Sequence, residues 1–137
     1  MVYFFGDIHG KIDELLFNIK QVSAQPGDTV VLLGDVGLNY YDRDPRYQAR
    51  KARLERTGLN FLCVHGNHEC RPATLPYYHL TEWQGGAAYI EDPYPHLFFA
   101  KDGEVYDLEG HTAIVMGGAY SVDKEYRSAK QLALVPG

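Results

Sequence analysis

The chain has 137 residues, 45% of them hydrophobic and 23% charged, values of an ordinary globular protein, so one domain spanning 1–137 is expected. No stretch approaches the run of about 18 apolar residues that would cross a bilayer, and no membrane partner is expected. The formal charge of -5 opposes non-specific nucleic-acid binding, which depends on basic side chains releasing counterions from phosphates.

Residues 1–6 are apolar but carry neither a basic start nor a small-residue cleavage site, so they read as a buried strand rather than a leader, and a cytoplasmic location follows. The run Val2-Tyr3-Phe4-Phe5 stops at Gly6. Ile12, Leu15, Leu16, Ile19 and Val22 then recur at helical spacing. Pro26-Gly27-Asp28 predicts a turn, and 29–33 is a second apolar, β-branched strand that stops at Gly34-Asp35. A helix is predicted over 45–56, and a third strand over 60–64 runs into His65-Gly66-Asn67-His68-Glu69. Cys63 and Cys70 form no CxxC pair, so Cys63 reads as a small core hydrophobe rather than a zinc ligand. Beyond Glu69 short runs at 87–90, 97–100, 104–108 and 112–116 predict antiparallel strands, and the tail 127–135 is compatible with a helix. The strand-helix-strand-helix-strand opening predicts an α/β fold built on a parallel sheet, followed by a meander.

Ligands of an open parallel sheet bind outside the carboxyl ends of its strands, so polar residues there can converge though distant in sequence. That edge offers Asp7, His9, Asp35, Asn67 and His68. Carboxylate, imidazole and amide oxygen make a mixed donor set that suits Mn, Fe, Zn or Ni better than a thiolate-selective ion. Asp7 and Asp35 taken singly would more often be helix caps or turn formers; the combination with His9 and Asn67 favours ligands. Glycines at 6, 10, 34 and 66 flank these candidates and permit tight turns.

The segments Gly6-Asp7-Ile8-His9-Gly10, Gly34-Asp35-Val36-Gly37 and Gly66-Asn67-His68-Glu69 together resemble the GDxHG, GDxx and GNHE blocks of calcineurin-like metallophosphoesterases, in family order and spacing. The stretch 117–124 also looks like a segment of small bacterial and phage members. The resemblance implies an αββα sandwich, incomplete at its C-terminus in this chain. It implies metal-dependent hydrolysis of phosphate mono- or diesters by a metal-bound hydroxide. Asp7 and His9 would bind one ion, Asp35 would bridge two, and Asn67 would bind the second. His68 would not be a ligand; it would stabilise charge at the phosphate or protonate the leaving oxygen.

The family completes its site with later histidines, including a GHxH-like block that this chain lacks. Its remaining histidines are His79, His96 and His111, and Gly110-His111-Thr112 precedes a strand, which makes His111 structural. With fewer fixed donors, one ion or none is expected to be retained. A fragment, a truncated product and a natural short form all fit the sequence. An incomplete sandwich would expose a strand edge and an apolar face, predicting self-association. A non-catalytic binding module that keeps the fold is the alternative function.

His65 reads as the end of a strand, or as a residue near the substrate. The arginines at 43, 46, 50, 53 and 56 read as a solvated helix face, and the 11 tyrosines as packing residues. The loop 39–44 lacks the GDxVDRG motif of protein serine/threonine phosphatases. GxGxxG and a phosphate-binding GK[ST] loop are absent as well.

Overall fold

The computed structural model describes residues 1–6, 8, 10–34, 38, 45–65 and 75–116, with the backbone of 132–136. The chain opens with β1 (Val2–Gly6), α1 (Ile12–Gln21), β2 (Thr29–Leu33), α2 (Pro45–Glu55) and β3 (Asn60–Val64). The predicted bounds of these elements fall within one residue of the observed ones. Helix α1 buries Ile12, Leu15 and Ile19 along one stripe, and Asp13 and Glu14 in its first turn complement the helix dipole. Helix α2 starts at Pro45, whose missing N–H costs nothing at a first helical position.

Six strands follow: β4 (Tyr78–Trp83), β5 (Gly86–Glu91), β6 (Tyr94–Ala100), β7 (Val105–Leu108), β8 (His111–Val115) and β9 (Leu132–Pro136). One sheet has the order β1-β2-β3-β6-β5-β4, and a smaller one the order β7-β8-β9. Strands β1, β2, β3 and β6 run parallel, whereas β4-β5-β6 is an antiparallel meander whose last strand docks against β3. The meander is therefore an extension of the parallel sheet. The tail, read as compatible with a helix, instead forms β9, which pairs antiparallel with β8 through Leu132-Ala133-Leu134-Val135-Pro136. An apolar run of this length satisfies its backbone better beside an existing strand edge than as an isolated short helix.

Two cores lie on opposite faces of the large sheet. On one face Val30, Leu32, Phe61, Cys63, Leu97 and Phe99 meet Ile12, Leu15 and Ile19 of α1 and Leu54 of α2. On the other, Val31, Leu62, Val64 and Phe98 meet Tyr106, Leu108, Ala113 and Val115 of the small sheet. Strands covered on both faces read as continuous apolar runs, which is the pattern of β2 and β3. Among the described residues the layers are α, β and β of the expected αββα sandwich. Cys63 is buried within the helix-side core, as its sequence context implied. No helix among the described residues is long and apolar enough to cross a membrane.

Candidate functional site

Register fixes the edge at which the chemistry-bearing segments leave the sheet. Gly6 pairs with Leu33, and Leu33 with Val64, so β1, β2 and β3 end side by side. Neighbouring strands lie about 4.8 Å apart, so the three ends span about 10 Å, within reach of convergent side chains. Asp7 follows β1 directly, Asp35 follows β2 by two residues, and Asn67 and His68 follow β3 by three and four. Asp7, His9, Asp35, Asn67 and His68 themselves lie outside the described residues, as does 117–124.

The described residues between them show what fixes the strand exits. Ile8, between Asp7 and His9 in sequence, is buried in the helix-side core, and Leu38, just beyond the Asp35 segment, is fully buried there. Gly34 takes a positive φ of 66° while its N–H donates to the Val64 carbonyl at 2.8 Å. That bond ties the exit of β2 to the exit of β3.

His65, the first residue after β3, is buried, with 7% of its side chain exposed. Its Nε2 lies 3.0 and 3.2 Å from the two carboxylate oxygens of Asp102. Because a carboxylate only accepts, Nε2 carries the proton in this pair. Asp102 belongs to the turn between β6 and β7, at the same sheet edge, since β6 runs parallel beside β3. Tyr106 anchors that turn by accepting from the Lys101 N–H at 3.1 Å and donating to the Ala87 carbonyl at 2.5 Å. Burial pushes the Tyr106 phenol above its ordinary pKa, partly offset by the Lys101 N–H, and a donating, neutral hydroxyl is what the geometry needs.

Arg50 departs from the solvated-face reading. Gly10 has φ 74°, and a Cβ added there would lie 2.5 Å from Arg50 Nη1 and 2.7 Å from its Cζ. The guanidinium thus occupies the space beside the β1–α1 turn that carries Asp7 and His9, with its Cζ 5.5 Å from the Tyr47 ring centroid. Glycine at position 10 is required twice, by backbone conformation and by this close approach. Neither Arg50 nor the Asp102 partner of His65 could be found from local sequence, because each acts across 37 or more residues.

The three later histidines occupy the opposite edge. His96 lies near the start of β6, where Leu97 pairs with Phe61 one residue into β3. His79 pairs with Ile90, next to Glu91, which pairs with Tyr94 at the same end. His111 lines a cleft with Met1 and Val2, at the start of β1. His96 is further engaged by Glu55, and His79 by Asp92 at 3.4 Å. All three therefore lie away from the carboxyl ends of β1, β2 and β3. Among the described residues no group of three or more His, Cys, Asp or Glu is arranged to hold a metal. The donors that fit one by chemistry are Asp7, His9, Asp35 and Asn67, two carboxylates, an imidazole and an amide oxygen.

Comparison with known family models identifies one family. The family model for calcineurin-like phosphoesterases matches residues 1–133. No curated protein matches the chain. A structure of YfcE, a phosphoesterase from E. coli, is similar at 13% identity and a TM-score of 0.35, covering 98% of each chain. A score that low carries no argument about this chain.

Proposed function

Because the chain belongs to the calcineurin-like phosphoesterase family, we propose that it hydrolyses phosphate mono- or diesters with divalent metal ions held by Asp7, His9, Asp35 and Asn67. The observation that supports this reading most is the register that ends β1, β2 and β3 side by side, at the points where those residues leave the sheet. In this reading Asp7 and His9 serve a first ion, Asp35 is shared, and Asn67 serves a second with its amide oxygen. When bound, such ions supply Lewis acidity that acidifies a coordinated water and offsets charge on the phosphoryl oxygens. His68 gives a proton to the leaving oxygen as the bond from phosphorus to the alcohol breaks, while a water oxygen bonds to phosphorus from the opposite side and loses its proton to solvent, from which His68 is reprotonated. No covalent bond to the protein forms. A cytoplasmic location belongs to the same reading.

Turnover of 4-nitrophenyl phosphate and bis(4-nitrophenyl) phosphate, followed with added manganese and again with excess chelator, tests the proposal. A manganese-dependent rate on at least one ester, abolished by chelation, is expected. Equal rates under both conditions would overturn it, and rates no higher than the protein-free background would favour the non-catalytic binding module.

A further inference from the structure

We infer that Asp102 is a positioning residue that holds the Asn67 and His68 loop in its metal-ready form through His65, an inference that rests on the proposed site. The chain between the strand end and the two functional candidates is short. His65 is followed by Gly66, the residue type with the widest backbone freedom, and then by Asn67 and His68. Next to a residue type of such freedom, a ligand is best placed when the residue before it is fixed. The buried imidazole of His65, gripped through Nε2 by both oxygens of Asp102, fixes it.

The grip is useful only if Asp102 itself is immobile, and its turn is unusually well tied. Besides the Lys101 N–H bond to the Tyr106 hydroxyl, which itself donates to Ala87, the Gly103 N–H donates to the Val115 carbonyl at 2.8 Å, and the Val115 N–H donates back to the Glu104 carbonyl at 3.1 Å. The Glu104 carboxylate accepts from the Ala87 N–H at 2.7 Å. The turn is therefore bonded to β5 of the large sheet and β8 of the small one. Asp102 itself is 41% exposed, so its carboxylate holds His65 without being needed to fill a core. Groups bonded directly to metal ligands tune affinity about 10- to 100-fold, and Asp102, which acts through His65, belongs at the lower end of that range.

Asp102→Ala and Asp102→Asn, compared with wild type, separate positioning from folding. Asp102→Ala is expected to weaken calorimetric manganese affinity about tenfold while the metal-free melting temperature stays close to wild type. Asp102→Asn keeps an accepting oxygen and is expected to recover most of the loss. In the metal-free chain, amide hydrogen exchange at 66–69 is expected to quicken in Asp102→Ala and not in Asp102→Asn. Unchanged exchange at 66–69 in Asp102→Ala would overturn the inference. So would unchanged manganese affinity. If wild type binds no manganese, the proposed function fails, and the exchange comparison alone still decides whether Asp102 positions the loop.

Discussion

His68→Ala is expected to lower ester turnover by about 10²- to 10⁴-fold while manganese binding is retained, because the residue is assigned proton transfer and charge stabilisation rather than coordination. The fall should appear in kcat and kcat/KM together, the mark of an interaction made only as the leaving oxygen departs. An ester with a very acidic leaving alcohol, which needs little protonation, should lose much less than an alkyl ester. Calorimetric titration of the variant with manganese checks the other half. Loss of metal affinity along with turnover would make His68 a ligand and refute the assignment.

Glu91→Leu is expected to cost about 3–5 kcal/mol of stability, because it removes the carboxylate that faces a buried cation. Lys51 on α2 has 1% of its side chain exposed, and its Nζ lies 2.8 Å from Glu91 Oε1 and 2.9 Å from the Tyr78 hydroxyl. The rings of Tyr77 and Tyr78 flank the same ammonium at 5.9 and 5.3 Å. Removing both charges with Lys51→Met/Glu91→Leu should recover much of the loss, since an apolar pair of similar volume is often as stable as a buried ion pair. The double variant still leaves the Tyr78 hydroxyl without Lys51, so full recovery is not expected. A coupling of about 2–3 kcal/mol in the denaturant cycle would agree, and additive single effects would contradict the account. The pair matters to the site because it clamps α2, the helix whose Arg50 lies against Gly10.

Local periodicity carried the first half of the fold into view. Apolar residues at helical spacing defined α1, and runs ended by glycine or a polar loop defined β1, β2 and β3 with their exits, hence the order of the candidate site. What local pattern could not carry is pairing between distant segments. β6 joins β3 in parallel, although the hairpins before it look like a separate antiparallel sheet. β4, Tyr-His-Leu-Thr-Glu-Trp, was not foreseen, because its apolar residues at 78, 80 and 83 break strict alternation. Lys51 sits in a run of basic residues that reads as a wet surface, and only the acidic and aromatic partners delivered by β4 and β5 make its burial tolerable. The ligand candidates were visible because their chemistry is concentrated in short blocks. Their supports, Arg50 and Asp102, were hidden because a single arginine or aspartate has no local signature.

The central claim is that the carboxyl ends of β1, β2 and β3 form a divalent-metal site. A crystal structure grown with manganese, with anomalous scattering recorded above the metal's absorption edge, tests it most directly. The account predicts an anomalous peak at that edge, within about 2.0–2.6 Å of donor atoms from Asp7, His9, Asp35 or Asn67. An ordered strand edge with no peak there, or manganese bound only at the opposite edge near His79, His96 or His111, would contradict it.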